Sequence, residues 1–161
     1  MSEVRVGLGV DAHALEDGVP LVLGGLEIDS PRGLAGHSDG DVLAHALVDA
    51  VLGAAGLGDI GSLFPSGDPR WDGASSLDLL RRAAAEVREA GWEVVNADCI
   101  LIGEEPRIAP LREQMRARLA GALGVEAERV NVRATTTDRL GFAGRGEGLA
   151  AEAVALVRQR H

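Results

Sequence analysis

Three histidines and several carboxylates lie close together in the first third of the chain. Asp11 and His13 stand two residues apart directly after a predicted strand, and in extended chain such alternate side chains share one face about 6.6 Å apart. His45 lies on the polar side of a predicted helix. Two histidines with one carboxylate form a common catalytic Zn²⁺ set that leaves a fourth position open for substrate. The spacing therefore indicates a zinc site, in which Asp41 or Asp49 of the helix would orient His45.

Such spacings also arise by chance, so the same histidines could be surface groups or partners in a polar core. Further polar clusters favour a functional site, because glycine-rich loops can present backbone N–H groups to phosphate. Hydroxyls and a carboxylate after a strand could also hold Mg²⁺. Each cluster alone fits an ordinary turn, but together with the histidines they predict a metal enzyme acting on a phosphorylated small molecule. The clusters span residues 37–41, 58–61, 135–138 and 144–148.

The charge of the chain restricts its chemistry and its partners. The 161 residues carry a net charge of −9, and aromatic residues make up only 2%. Both features argue against a nucleic-acid partner, which would require basic patches or aromatic stacking surfaces. All 16 basic residues are Arg. Without Lys, a Schiff base and a Walker-type phosphate lysine are excluded, so bound phosphate must be held by Arg, backbone N–H groups or metal ions.

Length and apolar patterning indicate one soluble domain over residues 1–161. The N-terminus lacks the basic region and apolar stretch of a signal peptide, and no apolar run approaches the ~18 residues that a membrane span needs. We therefore expect a cytoplasmic protein with no membrane partner. The single cysteine, Cys99, lies in an apolar run and is expected to be a buried hydrophobic residue, not a nucleophile.

Strands alternate with helices along the chain, which predicts an α+β fold, an α/β two-layer sandwich. Ser38, with Asp41 three residues later, has the capping-box pattern at the start of a helix that ends at Gly56. Paired glycines between two short apolar runs predict a hairpin. Segment 149–158 is ambiguous, since its alanines favour a helix and its valines a strand. The predicted strands are 4–10, 21–23, 26–28, 92–102 and one from 130 toward 137, and the other predicted helices are 75–90 and 106–123.

A set of motifs covers essentially the whole chain. The most specific is His-Ser-Asp-Gly-Asp-Val at residues 37–42, followed by His45 on the same helix. The other segments are 9–13, 23–25, 49–55, 58–61, 64–65, 131–132, 134–138, 140–142 and 144–148. In these motifs and in its length, the chain resembles the 2-C-methyl-D-erythritol 2,4-cyclodiphosphate synthase family.

The resemblance implies a mixed β-sheet with helices on one face, a strand over residues 149–158, and a homotrimer around a central cavity with active sites between subunits. The family converts the small-molecule substrate 4-diphosphocytidyl-2-C-methyl-D-erythritol 2-phosphate to 2-C-methyl-D-erythritol 2,4-cyclodiphosphate and releases CMP. This lyase reaction belongs to the non-mevalonate (MEP) isoprenoid pathway. Some members bind isoprenoid diphosphates in the central cavity, which makes such a ligand a candidate partner here.

The resemblance also assigns metals and catalytic roles. Asp11, His13 and His45 would hold Zn²⁺ or another divalent transition metal, and Asp138 would hold Mg²⁺ or Mn²⁺ across the substrate phosphates. The 2-phosphate of the substrate attacks the β-phosphate, so no protein nucleophile is needed. His37 and Asp138 match positions that stabilise the transition state. Asp138 stands where the family usually has Glu, and is one methylene shorter.

Substrate contacts follow from the same resemblance. His37 and Ser38 would contact the 2-phosphate, and Asp59 and Gly61 the hydroxyls of the methylerythritol. Residues 103–109 and 135–137 would form the cytidine pocket. The complete set of expected substrate-binding residues is Asp11, His13, His37, Ser38, Asp59, Ile60, Gly61, Phe64, Pro65, Ser66, Gly67, Asp68, Gly103, Glu104, Glu105, Pro106, Arg107, Ile108, Ala109, Thr135, Thr136, Thr137, Asp138, Phe142 and Arg145.

Two alternatives stay open at this point. A zinc phosphodiesterase would use the same ligands with a metal-bound water and would give no cyclic product. A non-catalytic trimer that binds isoprenoid diphosphates would use the central cavity, but it would give no role to the two histidines and the aspartate.

Overall fold

Five of the seven strands form one mixed sheet in the computed structural model, which describes residues 1–161. The order across the sheet is β4-β1-β7-β5-β6, in which β5 and β6 are parallel and the other pairs are antiparallel. β2 and β3 form a separate hairpin. The strands are β1 (Val4–Asp17), β2 (Leu21–Leu23), β3 (Leu26–Ile28), β4 (Arg32–Leu34), β5 (Trp92–Ile102), β6 (Val130–Thr135) and β7 (Gly148–Gln159).

The helices cover one face of this sheet and enclose the core between the two layers. The core is a single cluster of 39 buried hydrophobic residues, built mostly from Leu, Val and Ala. The α-helices are α1 (Val42–Ala55), α2 (Ile60–Leu63), α3 (Ser76–Glu89), α4 (Arg112–Leu123) and α5 (Gly141–Gly144), and short 3₁₀ turns lie at Pro69–Trp71, Ala109–Leu111 and Ala127–Arg129. The α+β fold class and the one-sided helical layer are confirmed.

Helix α1 lies unusually close to β1 because two glycines of the strand face it. A Cβ atom at Gly7 would overlap the backbone of α1 at Ala50, and one at Gly9 would overlap it at Ala46. Only glycine permits such a close backbone approach. Since side chains alternate along a strand, the residues that continue this face beyond Gly9 are Asp11 and His13. The packing therefore presents both side chains to α1.

The opposite face of β1 is left uncovered. Val4, Val6, Leu8 and Val10 are 58%, 67%, 63% and 55% exposed, and Val154 of β7 lies on the same face. A row of exposed β-branched and Leu side chains is unusual on the surface of a monomer.

Several element predictions are corrected. α1 begins at Val42 and its N-cap is Asp41, whose side chain accepts a hydrogen bond from Ala44 N at 3.1 Å. Ser38 is not the cap, because its hydroxyl lies beside His45. β1 runs on to Asp17, so Asp11 and His13 lie within the strand and do not follow it.

The helix predicted over 106–123 begins only at Arg112. A continuous helix would place the Pro110 ring against the carbonyl group of Pro106 and would lack one hydrogen bond. The last segment is the strand β7, as the family resemblance implied. None of the helices combines the length and the apolar composition that a bilayer crossing requires.

Candidate metal centre and substrate cleft

Asp11, His13 and His45 converge at one point between β1 and α1. Asp11 Oδ2 lies 2.8 Å from His13 Nε2 and 3.0 Å from His45 Nδ1. The two ring nitrogens are 3.2 Å apart. His45 is almost fully buried, whereas Asp11 and His13 are half-buried and open toward a cleft. Three potential ligand atoms thus point at one small volume that solutes can reach.

The electrostatics of this cluster favour a bound cation. Burial works to raise the pKa of Asp11, but hydrogen bonds with His13 and His45 outweigh it and lower the pKa to about 2. The hydrogen bond with Asp11 is also the largest cause of a raised pKa at His13. In the metal-free protein, hydrogen bonds from the imidazoles therefore stabilise the charge of the Asp11 carboxylate, which is the role that a metal cation can take over.

The donor set fits a divalent transition metal. One carboxylate oxygen and two imidazole nitrogens, with the cleft at the fourth side, are the ligand types of catalytic zinc sites. In a tetrahedral site with metal–ligand distances of about 2.1 Å, ligand atoms lie roughly 3.3 Å apart. The spacings of 2.8 to 3.2 Å between these atoms are close to that value.

The groups that orient His45 differ from the sequence prediction. Its outer nitrogen, Nε2, lies 2.9 Å from Ser38 Oγ and 2.8 Å from Ser76 Oγ. Neither predicted aspartate has this role. The Asp41 carboxylate accepts hydrogen bonds from Gly24 N, Gly25 N and Ala44 N, and Asp49 accepts one from Ile60 N at 2.7 Å. Both carboxylates are thus engaged with backbone at other points of the fold.

The group formed by Asp11, His13 and His45 makes up one wall of a cleft of about 510 Å³. Trp71 lines this cleft and was not predicted; its ring packs edge-to-face on Phe64 with the ring centroids 4.9 Å apart. The only sequence feature that distinguished Trp71 is that tryptophan is rare in this chain, which has two. The lining residues are Asp11, His13, His37, Ser38, His45, Ile60, Gly61, Phe64, Pro65, Ser66, Gly67, Trp71 and Leu79.

Two predicted substrate residues border the cleft without lining it. Asp59 caps α2, where its carboxylate accepts hydrogen bonds from Ser62 N and Ser62 Oγ, both at 2.8 Å. These bonds lower the pKa of Asp59, which keeps an anionic acceptor at the cleft edge. Asp68 pairs with Arg70 at 2.6 Å, and its backbone carbonyl lies 3.4 Å from His37 Nε2.

The remaining predicted residues form a second group elsewhere on the same chain. Gly103 N donates to Thr135 O at 3.0 Å, and Glu104 accepts a hydrogen bond from Arg139 N at 2.9 Å. These hydrogen bonds join the segments that follow β5 and β6. In the second segment, Asp138 and Arg139 adopt left-handed backbone conformations with φ of 55° and 64°. In the sheet order β5 is two strands and β6 three strands away from β1, which at the usual strand spacing corresponds to about 10 Å and about 14 Å.

Within this second group, the predicted substrate contact of Ile108 is corrected by its burial. Ile108 is only 1% exposed and belongs to the core, so its side chain is not available to a ligand. The residues of this group are Gly103, Glu104, Glu105, Pro106, Arg107, Ile108, Ala109, Thr135, Thr136, Thr137 and Asp138.

Phe142 and Arg145 lie beside the C-terminal half of β1. Phe142 is 43% exposed and borders a shallow depression shared with His13 and Glu147. The Arg145 guanidinium pairs with Glu147 at 2.9 Å on the surface. Neither residue lines the main cleft, although His13 lines both this cleft and the depression beside Phe142.

Comparison with known proteins identifies the family. The model of the YgbB family matches residues 4–158. A curated relative, 2-C-methyl-D-erythritol 2,4-cyclodiphosphate synthase from Rubrobacter xylanophilus, is 60% identical over 162 residues, covering 99% of this chain and 98% of the relative.

Solved structures agree with this match. The bifunctional IspDF from Campylobacter jejuni superposes with a TM-score of 0.94 at 43% identity, covering 99% of this chain and 43% of that one. A 2C-methyl-D-erythritol-2,4-cyclodiphosphate synthase in a bound form with CDP superposes with a TM-score of 0.87 at 40% identity, covering 95% and 99% of the two chains. The chain therefore belongs to the YgbB family, whose matching relatives are 2-C-methyl-D-erythritol 2,4-cyclodiphosphate synthases.

Proposed function

We propose that this protein converts 4-diphosphocytidyl-2-C-methyl-D-erythritol 2-phosphate to 2-C-methyl-D-erythritol 2,4-cyclodiphosphate and releases CMP, as a lyase of the MEP pathway. The observation that carries the proposal is the convergence of Asp11, His13 and His45 on one point in the wall of the cleft. Family membership supplies the substrate, and the CDP-bound relative supports a cytidine nucleotide as its leaving part.

The chemistry needs cations and positioning more than a protein nucleophile. The 2-phosphate of the substrate is already anionic at neutral pH and attacks the β-phosphate of the same molecule, so the main obstacle is charge repulsion. Zinc held by Asp11, His13 and His45 would supply a Lewis acid for the β-phosphate oxygens. Holding the two phosphates of one molecule together also removes the entropic cost of bringing two reactants into contact.

The cleft residues then position the attacking half of the substrate. His37 stands at the cleft with a half-exposed ring, so it can donate a hydrogen bond to the 2-phosphate together with the Ser38 hydroxyl. Asp59, held as a carboxylate by Ser62, is an acceptor for the methylerythritol hydroxyls beside Gly61. Residues 64–68 would enclose the methylerythritol half of the substrate from its outer side.

We assign the cytidine half to a second copy of the chain, as the family resemblance implies. Residues 103–109 follow β5 and residues 135–138 follow β6, two and three strands away from β1, and none of them lines the cleft of the metal ligands in their own chain. A homotrimer would bring this group of one subunit to the cleft of the next. Asp138 of that group would then hold Mg²⁺ or Mn²⁺, which would neutralise phosphate charge, and it would stabilise the transition state with His37.

The exposed apolar face of β1 supports this assembly. Val4, Val6, Leu8 and Val10 offer a continuous surface that the burial of a subunit interface would remove from water. In such a trimer a central cavity near Arg145 would be the candidate site for an isoprenoid diphosphate, since the guanidinium is the kind of group that binds diphosphate.

The test is ³¹P NMR of the purified protein with the cytidyl substrate, Zn²⁺ and Mg²⁺. We expect CMP together with two coupled resonances of a cyclic diphosphate, and no product with His45→Ala. Formation of CMP with an acyclic bisphosphate would instead identify a zinc phosphodiesterase. Absence of turnover with isoprenoid diphosphate bound would identify a binding protein.

A further inference from the structure

A buried serine connects the metal-binding histidine to a carboxylate that is remote from the metal. Ser76, the first residue of α3, is fully buried. Its hydroxyl lies 2.8 Å from His45 Nε2 on one side and contacts Asp39 Oδ1 on the other. The backbone of Ser76 also donates to Asp39 Oδ2 at 2.9 Å. The three residues come from α1, α3 and the loop between β4 and α1, so the contact depends on the tertiary fold.

The hydrogen bonds of Asp39 fix the direction of the proton on Ser76. The Asp39 carboxylate accepts from Ser76 N and from Asp41 N at 3.1 Å, so it is anchored by the backbone at both ends. An ionised carboxylate only accepts hydrogen bonds, and a hydroxyl has a single proton to donate. The Ser76 hydroxyl therefore donates to Asp39, and its free lone pair accepts from His45.

This direction determines which nitrogen of His45 can bind a metal. When a metal is bound, one nitrogen of the imidazole is its ligand and the other keeps the proton. If Ser76 accepts, that proton lies on Nε2, so the ligand atom is Nδ1, which hydrogen-bonds Asp11 Oδ2 in the metal-free protein and lies beside His13 Nε2. Ser38, at 2.9 Å from the same Nε2, is a second acceptor for that proton.

We propose that Asp39 and Ser76 form a positioning pair that holds His45 in the orientation and tautomer required of a metal ligand. The proposal rests on the metal site of the proposed function. Metal-binding histidines generally have their outer nitrogen fixed by a hydrogen-bond partner, and loss of such a partner typically costs 10–100-fold in metal affinity. Here the partner of the histidine is a hydroxyl, and the carboxylate acts through it.

The first test is the zinc affinity of Ser76→Ala, measured by competition with a chromophoric chelator. We expect a loss of about 10-fold, at the lower end of the usual range because Ser38 still accepts from His45. The matched control is Ser75→Ala, since Ser75 is exposed, precedes Ser76 in the chain and makes no capping hydrogen bond. This control should bind zinc like the wild type. The cobalt(II) spectrum of Ser76→Ala should also differ from that of the wild type, because the ring is free to turn.

A second measurement does not require the variant to fold. Long-range ¹H–¹⁵N correlation of the zinc-loaded wild type at pH 8 should show His45 protonated at Nε2 with the metal at Nδ1, and a metal bound through Nε2 would overturn the positioning pair. Equal zinc affinity in Ser76→Ala, Ser75→Ala and wild type would also overturn it. If the wild type itself binds no zinc, the proposed metal site fails instead.

Discussion

The carboxylate of Asp41 accepts a hydrogen bond from the backbone N–H of Gly25 at 2.7 Å, and thereby ties the start of helix α1 to the β2–β3 hairpin. The same carboxylate accepts from Gly24 N at 3.0 Å and caps the helix at Ala44 N at 3.1 Å. It is completely buried. One side chain thus satisfies three backbone donors, two of them fully buried, and it fixes the helix that carries His45.

Replacement of Asp41 by Ala should therefore destabilise the protein strongly. The variant leaves the N–H groups of Gly24, Gly25 and Ala44 without this acceptor, and each buried unpaired donor costs about 1–3 kcal/mol. We expect a loss of at least about 3 kcal/mol in the free energy of unfolding, measured in urea. The control is Asp29→Ala, an exposed aspartate just after β3. Equal stability of the two variants would contradict this role of Asp41.

The same residue should make stability depend on pH. Burial raises the pKa of Asp41 to about 6, although the three N–H groups oppose the shift. An unfolded aspartate titrates near 3.9, so between about pH 4 and pH 6 the folded state binds the extra proton. The stabilisation that proton binding at Asp41 adds to the free energy of unfolding is then fully present below about pH 4, and it is lost as the pH rises through about 6.

We expect the ¹³C resonance of the Asp41 carboxyl to titrate with a midpoint near pH 6. The wild-type unfolding free energy should contain a component that falls over the same interval and is absent in Asp41→Ala. A carboxyl midpoint below pH 4 would show that the backbone donors outweigh burial.

The zinc site should release a proton when it is loaded. The hydrogen bond with Asp11 raises the pKa of His13 above its ordinary value, so at pH 7 a part of the protein carries a proton on His13 that the metal must displace. Calorimetric titration with zinc in two buffers of different ionisation enthalpy should give a proton release that shrinks as the pH rises from 6 toward 8. Release independent of pH would contradict the raised pKa. His45→Ala should bind no stoichiometric zinc.

The metal ligands could be predicted from the sequence, whereas the groups that orient them could not. Asp11 and His13 obey the two-residue period of a strand, and His45 obeys the period of a helix, so local rules bring each to a defined face. Ser76 is 31 residues from His45, and it reaches Nε2 only because α3 packs beside α1. The predicted partners Asp41 and Asp49 share the helix with His45, but their carboxylates are used by Gly25 and Ile60.

The incorrect prediction that Ser38 caps helix α1 has a related cause. Ser38 and Asp41 have the spacing of a capping box, and the pattern alone does not show which residue caps the helix. The hydroxyl of Ser38 lies beside His45, so the helix begins one turn later at the next suitable acceptor. The division of the substrate residues into two distant groups was likewise beyond local rules, because it depends on the strand order β1-β7-β5-β6.

A charge on the uncovered face of β1 should prevent subunit association. Leu8 is 63% exposed between Val6 and Val10, so Leu8→Glu leaves the core of one chain intact but places a carboxylate where an apolar interface is proposed. Light scattering should give a mass near three chains for the wild type and a smaller mass for Leu8→Glu, with lost turnover. Leu57→Glu is the control, since Leu57 is also exposed, at 39%, and follows α1. A wild type that is monomeric at micromolar concentration would refute the shared site.

Trp71 should report on occupation of the cleft. It lines the cleft against Phe64, and its indole N–H is buried without a hydrogen-bond partner. The other tryptophan, Trp92, lies at the start of β5 with the Arg5 guanidinium 4.3 Å from the ring centroid. Addition of the cytidyl substrate to zinc-loaded His37→Ala, which should turn over slowly, is expected to change the fluorescence of Trp71 and leave that of Trp92 constant. Trp92→Phe in the same background should keep the whole response and Trp71→Phe should lose it. A response that persists in Trp71→Phe would place the substrate elsewhere, because Trp92 is 8% exposed and does not line this cleft.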